Sequence, residues 1–116
     1  MVIGKSFGAT KFSGISLGYR ESNLNYRKAA VVQEQIGDGA ARGHLHFLVD
    51  TAADGGSAVL GDSKMMIHGT SGNVGIGTNN PSAKLHIYGG SWNTQLTIQN
   101  ASANNNGIRF MEDGGA

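Results

Sequence analysis

The chain has 116 residues, of which 19 are glycine and none is cysteine, and its formal net charge is +1. The lack of cysteine excludes disulfides, thiolate metal sites and cysteine nucleophiles. The small charge and the short apolar runs give no reason to expect nucleic acid binding or membrane insertion. Leu, Ile, Val and Phe make up only about a fifth of the chain, so we expect a core that other copies of the chain complete.

Taken in chain order, the sequence predicts short strands separated by turns rich in glycine and asparagine. Residues 29–36 fit a short helix as well as a strand. The Gly37-Asp38-Gly39 turn and the clear strand after it favour the strand. Further along, alternation predicts that Leu96 and Ile98 point inward. The predicted strands cover residues 12–19, 27–36, 43–50, 64–68, 83–88 and 95–99, and another begins at Ile108.

An imperfect internal repeat relates the middle of the chain to its end. The pattern of residues 31–50 recurs over residues 97–113, and each copy leads into a pair of glycines. A period of this length fits a repeating architecture. We therefore predict an N-terminal strand-and-loop region (1–26), a repeat with a glycine-rich motif at 72–87 (27–90) and the start of a second, truncated repeat (91–116).

The glycine-rich motif, residues 72–87, reads GNVGIGTNNPSAKLHI. In an extended chain Val74 and Ile76 share one face, and the opposite face carries glycine. Such a bare face lets another backbone approach closely. The Asn-Asn-Pro stretch predicts a turn and alternation then resumes, so the motif is predicted to be strand, tight turn, strand.

This motif resembles G-N-V-G-I-G-T-x-x-P-x-x-K-L-H-V, a segment that recurs in viral fibres, chiefly phage tail fibres and the fibres of some algal viruses. The one departure at a fixed position is Ile87 in place of the final Val. The resemblance implies a virion protein: a structural fibre segment, trimeric and intertwined, that provides reach and attachment to the host cell. Its implied partners are two further copies of itself, neighbouring fibre segments and a host glycan or protein receptor. The residues expected to pack in the trimer are Val74, Gly75, Ile76, Gly77, Pro81, Leu85 and Ile87.

The predicted fold class is all-β, as an elongated intertwined homotrimer with short strands and Gly/Asn-rich turns. Periodicity alone equally allows a monomeric β-sandwich. In the trimer, replacing Gly75 or Gly77 with Val is expected to block assembly, because a side chain would enter a close backbone contact.

Two other functions remain as alternatives to a structural fibre segment. The first is a glycan-binding head or knob, which predicts an exposed aromatic cluster within residues 1–26. The candidates for stacking on sugars are Tyr19, Tyr26, Tyr88 and Trp92. Packing within the core or between chains is the alternative role for these side chains. The second is a polysaccharide depolymerase, which ranks lower because no carboxylate pair or nucleophile elbow is recognisable. The glycines of the motif lack the Lys-Ser/Thr and the helix of a phosphate-binding loop. We therefore predict that the chain is not an enzyme.

His44 and His46 are the candidate metal ligands. Side chains at i and i+2 of a strand lie on one face, and three chains around a threefold axis would supply six imidazoles to a first-row metal ion. The resemblance supports this, since some trimeric phage fibres bind metal through His-x-His pairs. The competing prediction makes Leu45, Phe47 and Val49 the inward face and leaves both histidines outside. No other cofactor is expected.

Overall fold

The computed structural model describes residues 12–21, 24–37, 40, 42–90, 95–99, 107–108 and 110–111. These residues contain six strands and one 3₁₀ helix, Leu60–Asp62, and no α-helix. The all-β prediction is therefore confirmed. The strands are β1 (Phe12–Glu21), β2 (Leu24–Gln35), β3 (Gly43–Val49), β4 (Ser63–Ile67), β5 (Val74–Ile76) and β6 (Leu85–Ile87).

The strands lie side by side in chain order within one sheet. Neighbouring strands are antiparallel, except that β5 and β6 run parallel. Residues 77–84 make that parallel crossover, which is much shorter than the usual helical one. Because the described strands form a single sheet, they do not build the two packed layers of a β-sandwich. β2 also runs across the boundary predicted between residues 26 and 27.

Most predicted strands are confirmed, including the ambiguous segment at 29–36, which lies within β2. The prediction for residues 95–99 is wrong: they form no strand, and Leu96 and Ile98 are 58% and 49% exposed rather than inward. Alternation sets a face, but a strand also needs a partner ladder. Ile108 and Phe110 are likewise outside any strand, and Phe110 is 91% exposed. Trp92 lies outside the described residues.

One face of the sheet, the covered face, is packed by the chain itself. The connection between β3 and β4, residues 50–62, lies over it and contributes Ala58 and Leu60 to the packing. Burial of these apolar groups is the chain's own source of stability. The buried side chains on the covered face are Ala30, Val32, His46, Leu48 and Met66.

The opposite face of the sheet, the outer face, is apolar along every strand. Because side chains alternate, the strand register places one apolar set there. Ile15, Leu17 and Leu85 are 53%, 55% and 56% exposed, so the described residues leave this face largely uncovered. Its residues are Ile15, Leu17, Val31, Leu45, Phe47, Val49, Met65, Ile67, Val74, Ile76, Leu85 and Ile87.

Candidate functional site

The glycine-rich motif occupies one end of the sheet, where it forms β5 and β6. The parallel pair is joined by Val74 N–H donating to the Lys84 carbonyl and by Tyr88 N–H donating to the Ile76 carbonyl, both at 2.9 Å. On its other side, Gly77 N–H donates to the carbonyl of Lys64 in β4 at 3.0 Å. The motif is thus tied into the sheet by backbone hydrogen bonds on both flanks.

The glycine positions of the motif are explained by contacts within the same chain. Gly75 is buried, and a Cβ there would collide with the Thr78 carbonyl oxygen. Gly77 has φ +73°, and a Cβ there would collide with the Tyr88 carbonyl oxygen. The bare face was predicted to admit another chain. In the structure the motif's own turn and the end of β6 fill that space, because the crossover folds back over β5.

The turn of the motif holds Pro81 in a buried position. Asn73 Nδ2 donates to the Pro81 carbonyl at 3.2 Å, and Thr78 Oγ1 accepts a hydrogen bond from Asn80 N–H at 3.2 Å. The bond to Thr78 is typical of a turn in which a hydroxyl side chain accepts from the backbone two residues on. The Asn73 bond joins the start of β5 to the crossover. The apolar partners in the two strands, Val74 with Leu85 and Ile76 with Ile87, belong to the outer face.

A hydrogen-bonded histidine cluster lies on the covered face. His44 and His46 share that face, as their i, i+2 spacing predicts, with ring centroids 6.0 Å apart. His46 is only 2% exposed. Its Nδ1 lies 2.9 Å from Ser63 Oγ, and its Nε2 lies 3.1 Å from Glu34 Oε2. Both ring nitrogens of His46 are therefore used within the chain.

The second histidine, His44, is fixed as a hydrogen-bond acceptor. Gly69 N–H donates to His44 Nδ1 at 2.9 Å, and the imidazole lies on the His68 ring with centroids 4.4 Å apart. The pKa of His44 is lowered, first by burial and then by the neighbouring His68, with a smaller opposing effect from Glu34. His68 Nδ1 in turn accepts from Ser71 N–H at 3.3 Å. The neutral imidazole is the form that such acceptor roles require.

The cluster contains side chains that can ligate a metal ion, but they do not converge on one point. No group of three His, Asp or Glu side chains within the described residues is placed to hold a metal ion. A metal at the predicted pair would have to displace Glu34 or Ser63 from His46, and would be left with Nε2 of His44 while Gly69 N–H holds its Nδ1. The two ligands predicted from sequence do lie together, but each already has partners.

Among the described residues, the hydrogen-bonded set that most resembles a hydrolytic triad is Ser63, His46 and Glu34. Ser63 Oγ can also donate to the Met65 carbonyl, at 3.4 Å. A nucleophile needs its base on one side and an open approach for substrate on the other. Here the base is 2% exposed, and the serine is held between a ring and a carbonyl. The arrangement therefore has the features of a structural network, and the absence of enzyme activity stays a prediction.

Sequence reasoning did not find Glu34, Ser63 and His68 as partners of the predicted pair. The register of β2 against β3 places Glu34 opposite His44, and the register of β3 against β4 places Ser63 opposite Leu48, one strand position beyond Phe47. A β-bulge between β3 and β4 gives Ser63 this position. The missing signal was the register of these two strand pairings, because such contacts join residues that are far apart in the chain.

Acidification is expected to destabilise the fold through His44. Its folded pKa lies below the ordinary value of 6.5, so the unfolded chain binds the proton more tightly. The stabilisation is therefore complete above pH 6.5 and is lost as pH falls through the folded pKa. Protonation would also place a hydrogen on Nδ1 and remove the acceptor for Gly69 N–H. The measurement is the denaturant midpoint between pH 8 and pH 5.

The control for the pH experiment is His44→Gln, whose side-chain oxygen can accept the Gly69 hydrogen bond without titrating in this range. The variant is expected to show a smaller loss of stability between pH 8 and pH 5 than the parent chain. The other charged or titratable groups around His44 are Glu34, His46 and His68, and all three are kept. An unchanged slope in the variant would assign the pH dependence to those groups instead.

No protein-family model matches this chain, and no curated protein shows significant similarity to it. The helical structure of the described residues includes nothing long and apolar enough to cross a membrane.

Proposed function

We propose that this chain is a structural segment of a viral fibre, assembled as an elongated homotrimer that gives the virion reach and attachment to its host cell. Its partners are two copies of itself, the neighbouring fibre segments and a host receptor, and it has no catalytic role. The sequence resemblance carried by residues 72–87 motivates the assignment to a fibre.

The observation that carries the proposal is the outer face of the sheet. Apolar residues occupy this face on all six strands, and several remain about half exposed. Large contiguous apolar surfaces on soluble chains mark sites of association. Covering them with equivalent faces of two other copies supplies the core that composition alone shows to be too small. This arrangement also explains how a chain can be apolar on both faces of its sheet.

The motif suits a mechanical role because it closes one end of the sheet with backbone hydrogen bonds and a buried proline. Gly77 N–H links the motif to β4, and Tyr88 N–H links the residue after β6 to β5. Repeating units that each leave an apolar face uncovered become stable only when stacked or wrapped together. The internal repeat in the sequence supports such a continuation along the fibre.

Sedimentation velocity over a range of concentrations tests the proposal. An elongated trimer that persists on dilution is the expected result. A compact monomer that remains well folded would contradict the homotrimer and remove the main support for the fibre assignment.

The same experiment with a chelator addresses the axial metal, which remains a subsidiary proposal for His44 and His46. If the trimer dissociates with chelator, the two histidines are ligands and must rearrange in the assembly. If it persists, the cluster is held by hydrogen bonds alone, as its geometry favours.

A further inference from the structure

A cleft on the covered face, away from the histidine cluster, has the chemistry of a small binding site. Its volume is about 450 Å³, within the range of ~300–1,000 Å³ typical of small-molecule sites. It opens between the paired ends of β1 and β2 and the loop that follows β3. The cleft is lined by Tyr19, Tyr26, Lys28, Ala52, Ala53, Asp54 and Gly55.

One wall of the cleft is aromatic. The rings of Tyr19 and Tyr26 lie with centroids 5.8 Å apart and planes tilted by 43°. Tyr19 is 66% exposed, and both tyrosines line the cleft. The hydroxyl of Tyr26 makes no hydrogen bond to any described residue. A tilted aromatic pair with polar tips presents both an apolar surface and hydrogen-bonding groups.

The other wall is a loop held in place by one lysine. Lys28 Nζ donates to Asp50 Oδ2 and to Asp54 Oδ1, both at 2.7 Å. The carboxylates also organise the loop, since Asp50 accepts from Ala52 N–H and Asp54 accepts from Gly56 N–H, each at 2.8 Å. The Lys28 ammonium lowers the pKa of both carboxyl groups, so they are ionised at neutral pH. The wall is therefore pre-organised before any ligand arrives.

Two polar groups in the cleft retain capacity for a ligand. Lys28 uses two of its three N–H donors, and Asp54 Oδ2 has no partner among the described residues. A donor and an acceptor beside an aromatic wall match a sugar ring, which has an apolar C–H face and neighbouring hydroxyl groups. Asp50 and Asp54 together outweigh the single charge of Lys28, so an acidic ligand would be repelled.

The geometry points to a binding site for a neutral saccharide in this cleft, with the ring stacked on Tyr19 and Tyr26 and its hydroxyls bound by Lys28 and Asp54. This role goes beyond that of a structural spacer and does not depend on it, since one chain carries all of these groups. The specificity is for neutral rings over uronic acids. Affinity for a single ring is in the millimolar range, because one small contact area offsets little of the cost of association.

The test is an NMR titration of the full chain with methyl glucoside, methyl galactoside and glucuronate. The expected result is saturable shifts of the Ala52, Ala53 and Gly55 amides with at least one neutral glycoside and no shifts with glucuronate. Tyr26→Leu keeps the apolar bulk and removes the aromatic face, and it is expected to weaken binding by about fivefold. The matched control is Tyr88→Leu, an exposed tyrosine that does not line the cleft.

A second variant tests the preference for neutral sugars over glucuronate without changing either tyrosine. Asp54→Asn keeps the shape of the side chain and removes one negative charge, so the preference against glucuronate is expected to fall. Absence of shifts with both neutral glycosides would overturn the proposal, as would equal binding by Tyr26→Leu and the parent chain. Stronger shifts with a cation such as choline than with either glycoside would also overturn it, in favour of a cation-binding cleft.

Discussion

Gly77→Ala is expected to lower the free energy of unfolding by about 3 kcal/mol. Gly77 has φ +73°, a left-handed conformation that costs an L-residue roughly 1–2 kcal/mol. A Cβ would also collide with the Tyr88 carbonyl oxygen, which belongs to the backbone and cannot move without loosening the end of β6. Strain and collision therefore add at this one position. The measurement is the denaturant midpoint, followed at constant protein concentration so that association contributes equally.

Gly72→Ala is the matched control for this prediction. Gly72 has nearly the same φ, +69°, yet a Cβ there meets no atom within 4 Å. Its substitution is expected to cost only the backbone strain of about 1 kcal/mol. Gly61→Ala, in open space with an ordinary φ, is expected to change stability by less than about 0.5 kcal/mol. Equal losses for Gly77→Ala and Gly72→Ala would show that the contact with Tyr88 is unimportant.

These glycine variants also separate two explanations of the motif. If the glycines make room for another chain, Gly75→Ala and Gly77→Ala should weaken association before they weaken the single chain. The collisions found with Thr78 and Tyr88 are within the chain. Loss of stability is therefore expected even at dilutions where copies are separated. Any loss of assembly then follows from a loosened motif.

The sequence predicted the existence and faces of most strands, because alternation reports directly on which side chains share a face. It did not predict which face the chain covers. On β3, alternation favours Leu45, Phe47 and Val49 as the inward face, yet His46 and Leu48 are the buried residues. Both faces of the strand carry apolar side chains, so the sequence does not indicate which of the two faces is buried. The loop of residues 50–62 decides it by packing over the histidine side.

The candidate sites could be predicted only where their residues are close together in the sequence. His44 and His46 are two positions apart, so their shared face was predictable. Their partner Glu34 could not be predicted, because that contact depends on the register of β2 against β3. The parallel pairing of β5 and β6 was equally beyond local patterns. A short connection normally predicts an antiparallel hairpin. Here the buried proline and the left-handed Gly77 turn the chain across the strand instead.

The two faces together explain the composition of the chain. A sheet with one face under its own loop and the other open needs apolar side chains on both, although its total apolar content is low. Among the described strand residues, the covered face buries the side chains of Ala30, Val32, His46, Leu48 and Met66, which is a small core. Most of the remaining apolar strand residues lie on the outer face. The energetics of the proposed assembly must therefore come largely from that surface.

Phe47→Lys is expected to abolish self-association. Phe47 lies on β3, near the middle of the outer face, and is 38% exposed in the single chain. A lysine there would be buried without a partner in each copy of the assembly, and an unpaired charge at the centre of an interface costs several kcal/mol. The association constant is expected to fall by at least about 100-fold. Sedimentation velocity measures this directly as a shift from trimer to monomer.

The matched control is Val59→Lys, because Val59 is also an exposed apolar residue (55%) but lies on the loop over the opposite face. It is expected to leave the sedimentation behaviour unchanged. At dilutions where the parent chain is also monomeric, Phe47→Lys should unfold at nearly the parent midpoint, because Phe47 is not part of the covered core. If Phe47→Lys stays trimeric, the outer face is not the contact surface. The trimer would then have to be built through the sheet edges at β1 or β6, the outermost described strands, where strand addition is the usual mode of association.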